Sequence, residues 1–399
     1  MKTDIAVILA TLVLGGLLAL PRVAEFRLWR ATITPLASII GSGFLVLGPI
    51  LDDAYGGYAP LAMALLCALA WAFGAAIRFN MADGAEDDAN QTRSENLLDT
   101  GSQWALAFAY VISVAYYLNL FGGFAVSLTP WPGHFAAHLV TTAIYAVILT
   151  VGWTRGFRWL EWMEYGSVTL KLAIIAGLIV GLGAFFDVKA SQGTLILAPP
   201  LLTGVPALTL LFGLIVTVQG FETSRYLGAS YDRGLRIRSM RLAQGLATAI
   251  YMIYILLIAY VFPPDAAPLT ETAVIDLMRL VSPLLPVMLV AAALSAQFSA
   301  AVADTGGAGG LLAEVTGGKV TVRKGYAALG TLGIALTWTT NIFVIINYAS
   351  RAFAAYYALQ AAIATLRAAR RGDRRRAAGF GALALLGLAI VIFGTPAPA

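Results

Sequence analysis

Cysteine, histidine and charged residues are all scarce in this chain of 399 residues. The single cysteine, Cys67, cannot form an intrachain disulfide bond, and neither it nor the two histidines, His134 and His138, belongs to a metal-ligand spacing. We therefore expect no metal and no cofactor. Only 12% of the residues are charged and 59% are hydrophobic, too apolar a composition for a water-soluble fold. The sequence predicts an all-α integral membrane protein.

Motifs for catalysis are also missing. The sequence has no HExxH motif, no phosphate-binding loop and no nucleophile with a base in register. We therefore expect that the protein is not an enzyme. The net charge is +5, and the basic residues lie in the loops between apolar segments. We therefore interpret them as a signal of membrane topology and expect no nucleic-acid partner.

The apolar residues are grouped into about twelve runs of roughly 17 to 25 residues, the length that crosses a bilayer. We number them as spans 0 to 11, because the first precedes a set of ten that forms the predicted core. Their approximate limits are 4–20, 31–51, 57–78, 103–128, 136–152, 165–185, 204–224, 242–262, 281–303, 325–340, 342–363 and 378–394.

Alternate loops hold all but five of the 26 lysines and arginines. We call the side that carries these loops the arginine-rich face. The positive-inside rule predicts that this face is cytoplasmic, with both termini outside a cell membrane. A cleaved signal peptide is the alternative for span 0, but cleavage would leave the basic segment 22–30 outside. The polar segment 79–100 is interpreted as a solvated connector, with a short surface helix as the alternative.

Span 1 carries weak helix formers at its middle. The stretch ITPLASIIGSGFLVLGPIL places Gly41 and Gly43 around Ser42, at a depth where lipid offers no hydrogen bonds. A helix can be interrupted there only where protein or a water-filled cavity satisfies the freed backbone groups. An isolated GxG is more often a packing feature, so this motif alone is weak.

A second interruption occurs five spans later. The stretch LFGLIVTVQGFETSRYLG places Thr217, Gln219, Gly220 and Glu222 inside span 6. Spans 1 and 6 each begin a set of five, and an odd number of spans inverts the second set in the membrane. Paired Gly-interrupted spans in inverted repeats are typical of transporter binding sites.

These segments resemble the amino acid-polyamine-organocation (APC) superfamily of permeases. The resemblance rests on four stretches. They are IIGSGFLVLGPI in span 1, YGSVTLKLAIIAGLI in span 5, TVQGFETSRYLGASYDRGLRIRSMRLAQ from span 6, and SAQFSAAVADTGGAGGLLAEV, which resembles span 8 of the family. Two departures are VADTGGAGG, where the family usually has an arginine-containing stretch, and the extra span 0. The resemblance implies a leucine-transporter-like 5+5 inverted repeat with discontinuous spans 1 and 6.

This resemblance divides the chain into three predicted parts. Residues 1–30 form an extra transmembrane helix and a cytoplasmic linker. Residues 31–364 form the ten-helix core, in which 31–185 is the first repeat and 204–364 the inverted second. Residues 365–399 form a basic cytoplasmic loop and a final transmembrane helix.

The broken helices provide the candidate substrate site. Amino ends of half-helices attract a carboxylate, and carbonyl ends attract an ammonium group. The candidate substrate-binding residues are Ile40, Gly41, Ser42 and Gly43 for a carboxylate, the backbones of Thr217, Val218 and Gly220 for an amine, the side chain of Gln219, and Phe221 as a lid. Tyr116, Tyr117, Asn347 and Tyr348 are weaker candidates.

Charged residues inside spans form a second set of candidates, because a charge at bilayer depth needs a partner or a function. By resemblance to proton-coupled members, the ammonium group of Lys171 replaces a sodium ion between spans 1 and 8, near Ile39 and Ile40, with Ser295 or Ser299. A snorkelling structural lysine is the alternative. Glu222 resembles a gating glutamate that can be protonated during the cycle.

The alternative for Glu222 is a structural ion pair with Arg225 or Arg351. Arg351 of span 10 and Asp304 of span 8 are interpreted as an interhelical pair on the cytoplasmic side.

The predicted function is secondary active transport of an amino acid or related small amine by alternating access, with proton coupling or sodium-independent exchange. The predicted partners are the small-molecule substrate, protons and the lipid bilayer. The alternatives are a non-transporting membrane sensor of the same fold and a transporter of another small solute, such as a polyamine.

Overall fold

Helices make up the architecture, as the apolar runs predict, and no strand occurs in the described part of the chain. The computed structural model describes residues 2–41, 43–82, 92–154, 157–227, 230–263, 269–270 and 272–397; side chains between 157 and 164 are left aside.

The unbroken spans follow the predicted order along the chain. They are span 0 at Lys2–Ala19, span 2 at Ala59–Ala82, span 3 at Arg93–Val126, span 4 at His134–Thr154, span 5 at Phe157–Ser191, span 7 at Arg233–Ile258, span 8 at Leu285–Val315, span 9 at Val322–Thr339, span 10 at Ile342–Arg370 and span 11 at Arg374–Phe393. The short connecting helices are Pro21–Ala24, Gly56–Tyr58 and Ala273–Val281.

Within the described residues, nine helical stretches are long and apolar enough to cross a membrane, counting Gly43–Ala82 as one stretch. The predicted segments outside this count are the first half of span 1, span 6 and span 9. The all-α, multi-span fold predicted from the sequence is confirmed.

Five of the helices begin at a side chain that accepts a hydrogen bond from the first turn, which satisfies a backbone donor that has no partner within the helix. These residues are Thr92, Asp232, Thr321, Asn341 and Asp373. At Asp232 the bond from the amide of Leu235 stabilises the carboxylate and lowers its pKa.

Both predicted interruptions are present. Span 1 is helical over Arg27–Ile39 and again over Gly43–Tyr55. Span 6 is α-helical over Gly204–Gly213 and continues as two short 3-10 helices, Ile215–Val218 and Phe221–Tyr226. Between those two, Gln219 is extended and Gly220 has a φ of 114°, a left-handed conformation that favours glycine.

The two broken spans run in opposite directions through the centre of the molecule. Span 1 begins at the arginine-rich face and span 6 ends there, as an inverted repeat requires. Large side chains from spans 3, 7 and 10 surround them and are almost completely buried. These side chains are Tyr116, Tyr117, Tyr251, Tyr254, Tyr356 and Tyr357.

Spans 0 and 11 lie at the periphery, where only two residues of each described helix are buried. Span 0 packs along span 5, where a Cβ added at Gly177 would collide with the hydroxyl of Thr11. The hydroxyl of Tyr165 in span 5 donates to the carbonyl of Leu18 at 3.0 Å. The predicted limits of the three parts of the chain stay predictions.

Two acidic residues of segment 79–100 form ion pairs with other spans, so its interpretation as a solvated connector was wrong for the part described. Glu95 is 1% exposed and lies 3.0 Å from Arg370 and 3.5 Å from Arg367 of span 10. Asp99 lies 2.9 Å from Arg225 of span 6. Residues 93–100 form the first turns of span 3, and residues 83–91 lie outside the described chain.

We expect Glu95→Ala to destabilise the protein by roughly 3–5 kcal/mol, because it leaves Arg367 buried without its carboxylate partner. The matched control is Asp276→Ala, whose pair with Arg279 is about half exposed and contributes roughly 0–1 kcal/mol. Thermal unfolding in detergent measures both. Equal midpoints for the two variants would contradict the prediction.

Candidate functional site at the helix breaks

The two interruptions pack against each other with no space for a side chain between them. A Cβ added to Gly43 would lie 2.7 Å from the Cβ of Thr217, and one added to Gly220 would lie 2.6 Å from the amide nitrogen of Ile39. Contacts below 3.0 Å require one of the two backbones to move. Both glycines are therefore explained by the close approach of span 1 to span 6.

A tyrosine of span 7 joins the two breaks. The hydroxyl of Tyr251 lies 2.9 Å from the carbonyl oxygen of Ile39 and 2.7 Å from that of Thr217, and donates to them. The hydroxyl has a single proton, which is shared between these two carbonyl oxygens at the helix breaks. Tyr251 was not among the predicted site residues, because a tyrosine in an apolar helix is usually a packing residue.

Lys171 lies at the carbonyl end of the first half of span 1. Its Nζ donates to the carbonyl oxygen of Ala37 at 2.8 Å, and the side chain is completely buried. A cation is favoured there, since the carbonyl end of a helix carries partial negative charge. The contact is about one turn before Ile40, and the carbonyl of Ile39 accepts from Tyr251.

The two serines predicted beside Lys171 lie on span 8. Ser299 is buried and donates to the carbonyl of Ala296 in its own helix at 3.0 Å, and Ser295 is half-buried. Neither has a described hydrogen bond to Lys171.

The predicted carboxylate-binding segment is only partly available. The amide of Ile40 donates to the carbonyl of Leu36, which ends the first half-helix. The second half begins at Gly43, and the first amides of a helix have no partner within it. Those of Gly43, Phe44 and Leu45 are buried. Ser42 lies outside the described residues.

Polar side chains from spans 3 and 10 hold span 6 at its break. Gln219 donates from Nε2 to the hydroxyl of Tyr117 at 2.7 Å. The hydroxyl of Ser350 donates to the carbonyl of Gly213 at 2.7 Å and accepts from the amide of Val216 at 3.1 Å. Ser350 thus replaces the helical bonds lost where span 6 unwinds, a role not predicted from the sequence.

Glu222 is completely buried beside the break. Its Oε2 accepts from the amide of Gly220 at 3.0 Å and from the hydroxyl of Tyr357 at 2.9 Å. Its described hydrogen bonds are therefore to an amide and a phenol, and Arg225 instead pairs with Asp99. Phe221 stacks on Tyr357 with ring centroids 5.2 Å apart.

The predicted pair of Arg351 and Asp304 was wrong. Asp304 accepts a hydrogen bond from Ser113, and Arg351 donates to the carbonyl of Gly394 at 2.7 Å. Both helices run toward the arginine-rich face, but Asp304 lies about 28 Å along span 8 and Arg351 about 14 Å along span 10. The two side chains are therefore at different depths.

Two glutamine side chains near the breaks have atoms without a hydrogen-bond partner in the described structure. Gln297 of span 8 is completely buried, and in the described structure neither its Oε1 nor its Nε2 has a hydrogen-bond partner. It lies one turn from Ala300, whose Cβ is 3.7 Å from a Cβ built on Gly41. Gln219 likewise has no partner for its Oε1. A lone glutamine in an apolar helix was the sequence signal for Gln297.

The weaker candidates are divided between two surfaces. Tyr116, Tyr117 and Asn347 are buried, whereas Tyr348 is 42% exposed and faces away from the breaks.

A cavity of about 340 Å³ lies toward the arginine-rich face, and Thr223, the residue after Glu222, is on its wall. Spans 1, 3, 6 and 8 form its walls, with Thr34, Tyr110 and Thr223 on three of them. Span 8 contributes Gly306, Gly307 and Gly310, whose missing side chains leave the space open. No group of three or more potential metal ligands occurs in the described residues.

The comparison with protein families decides the assignment. A family model described as "APC superfamily transporter" matches residues 21–394. The chain belongs to the APC superfamily of transporters. A relative of this transporter that is 40% identical over 383 residues is an uncharacterized protein of Aquifex aeolicus (strain VF5), and the match covers 94% of this chain and 92% of the relative.

A solved structure of similar fold is that of Mhp1, a nucleobase-cation-symport-1 family transporter, in a closed conformation with bromovinylhydantoin bound. The TM-score is 0.56 at 12% sequence identity, over 92% of each chain. At this identity the likeness shows the fold alone.

We expect Tyr251→Phe to destabilise the transporter by about 1–3 kcal/mol, because it leaves buried carbonyls of both breaks without a donor. Tyr254→Phe, one turn away, is the control, since that hydroxyl lies 3.4 Å from its acceptor and forms a weaker bond. Thermal unfolding in detergent compares the two. A smaller loss for Tyr251→Phe than for Tyr254→Phe would refute the assigned role of its hydroxyl.

Proposed function

We propose that this protein is a secondary active transporter for an amino acid or a related small amine. The observation that carries the proposal is the direct contact of two interrupted helices at Gly43 and Gly220, with buried backbone groups at both breaks. A zwitterion has one group for each type of helix end. The arginine-rich face is proposed to be cytoplasmic, in a cell membrane, with both termini outside.

The substrate carboxylate is proposed to bind the amides of Gly41, Ser42 and Gly43, where the second half of span 1 begins. The amine is proposed to bind carbonyls of Thr217, Val218 and Gly220. The carbonyl of Thr217 already accepts from Tyr251, but a carbonyl oxygen has two lone pairs and can accept again. The cavity at the arginine-rich face supports an access route to this site.

Coupling is proposed to use Lys171 and Glu222. The bond from Lys171 to Ala37 supports an ammonium group in place of a sodium ion, because it satisfies a carbonyl that a metal ion would otherwise coordinate. Glu222, buried next to Gly220, is the second proposed proton site. Proton coupling follows if either group exchanges its proton during the transport cycle.

Uptake into proteoliposomes tests this function. We expect a mixture of radiolabelled amino acids to accumulate under an imposed pH gradient, with no increase from a sodium gradient. Lys171→Ala should lose at least about ten-fold in rate, while Lys189→Ala, in the last turn of the same helix, should not. Sodium-driven uptake that survives in Lys171→Ala would return this lysine to a structural role. No uptake of any amino acid would favour a polyamine, another solute or a sensor.

The helix break has a separate test. We expect Gly43→Leu to abolish uptake, because even its Cβ would collide with the backbone of Thr217. Gly16→Leu is the control, since a Cβ there meets no atom within 4 Å. Size-exclusion chromatography verifies that both variants are folded. Normal uptake by folded Gly43→Leu would contradict a substrate site at this break.

A planar cyclic amide is the second candidate substrate. Its support is the pair of buried amide side chains, Gln219 and Gln297, that retain unsatisfied hydrogen-bonding atoms. A buried amide without partners is costly, so a ligand with matching donors and acceptors is favoured there. The solved structure of similar fold has a hydantoin bound. Radiolabelled hydantoins therefore belong in the same uptake assay.

A further inference from the structure

Span 11 ends deep inside the bundle. Phe393 is its last helical residue, and the carbonyl of the next residue, Gly394, accepts from Nη2 of Arg351 at 2.7 Å. From Arg351, span 10 extends about 14 Å further, to Ile342 at the face opposite the arginine-rich face, which we call the outer face. Residues 394–397 follow span 11 at this depth without helical structure. We call them the strap.

The strap runs along the first half of span 6, toward the outer face. The amide of Thr395 donates to the carbonyl of Thr209 at 2.9 Å, and the two hydroxyls lie 3.2 Å apart. A Cβ added to Gly213 would collide with the carbonyl oxygen of Thr395. Pro396 and Val205 line a hollow of about 320 Å³ between the strap and span 6. The glycine at position 213 is therefore explained by the passage of the strap across span 6.

The sequence of the strap suits a non-helical backbone at membrane depth, where lipid offers no partner for an N–H group. Gly394 donates to the last turn of span 11, and Thr395 donates to span 6. Pro396 has no N–H group to satisfy. Ala397 is 5% exposed. The strap is thus a packed part of the bundle, and its first three residues leave no amide donor without a partner.

The first half of span 6 is also held by two other spans. The hydroxyl of Tyr55, at the end of span 1, donates to the carbonyl of Ala207 at 2.6 Å. Ala207 and Thr209 are about 200° apart around the helix, so span 1 and the strap bond it from different sides. Ser350 of span 10 bonds its last carbonyl, at Gly213. This half-helix cannot tilt without loss of at least one of these contacts.

We propose that the strap is a lock: while it is bonded to Thr209, it fixes the first half of span 6 to spans 10 and 11 and keeps the outer side of the breaks closed. The proposal rests on the proposed function, because alternating access requires an opening on this side. In this structure the strap is bonded while the cavity lies on the arginine-rich face. Movement of this half-helix away from span 10 would break the bond from Thr395 to Thr209, or carry the strap along and break the bond from Arg351 to Gly394.

Hydrogen–deuterium exchange of the full-length protein in detergent, measured by mass spectrometry, tests the lock. Thr395→Pro removes the amide that bonds to Thr209, and Gly394 has φ −58° and ψ 132°, which a following proline allows. One backbone hydrogen bond changes an equilibrium roughly two- to ten-fold. We expect exchange to be faster by about this factor in Gly204–Gly213. The same increase is expected in Gly43–Tyr55, to which the strap has no described hydrogen bond, because both segments become exposed when the outer side opens.

Thr395→Val is the matched control, since it keeps the amide and loses only an exposed hydroxyl. It should exchange as the wild type does, and span 4 should be unchanged in every variant. Gly213→Ala, whose Cβ displaces the strap, should give the same pattern as Thr395→Pro and replaces it if that variant does not fold.

Faster exchange confined to Gly204–Gly213 would overturn the proposal, because the strap would then only cover span 6. Unchanged exchange in both Thr395→Pro and Gly213→Ala would overturn it too, as would an equal effect of Thr395→Val. The measurement needs no substrate. A failure of the lock is therefore distinguishable from a failure of the proposed function, which the uptake assay tests.

Discussion

The contact between the two interrupted helices is the constraint on which the rest of the structure depends. Each unsatisfied backbone group costs several kcal/mol in hydrocarbon, so neither helix could be broken alone in lipid. The breaks are stable because spans 3, 5, 7 and 10 direct polar side chains at them. Tyr251, Lys171 and Ser350 each bond a carbonyl that the interruption frees.

The sequence was sufficient for the fold because membrane insertion leaves strong patterns. Apolar runs of bilayer length located the spans, and basic residues in alternate loops separated the two faces. The interruptions were predictable because span 1 contains Gly41 and Gly43 at its middle, and span 6, five spans later, contains Gly220 at a corresponding position. These signals are local or periodic, so they can be found without knowledge of tertiary contacts.

The contacts inside the site could not be predicted in the same way, because they depend on the depth and rotation of each helix. Arg351 and Asp304 have opposite charges, but they lie at different depths. Tyr251 has the same sequence signal as Tyr254, whose hydroxyl forms only a long bond of 3.4 Å. Lys171 was predicted to contact span 1 near Ile39, and the carbonyl that accepts its hydrogen bond is that of Ala37. The roles of these residues in transport stay predictions.

The hydrogen bond between Lys171 and Ala37 joins span 5 to the first half of span 1. The same half-helix, Arg27–Ile39, contributes Thr34 to the wall of the cavity at the arginine-rich face. A tilt of this half-helix would change both the width of the cavity and the distance from Ala37 to the lysine. Thermodynamic reciprocity then applies: if the protonation of Lys171 biases the tilt, the tilt must bias protonation by the same free energy. One hydrogen bond can thus connect opening of the cavity to the proton.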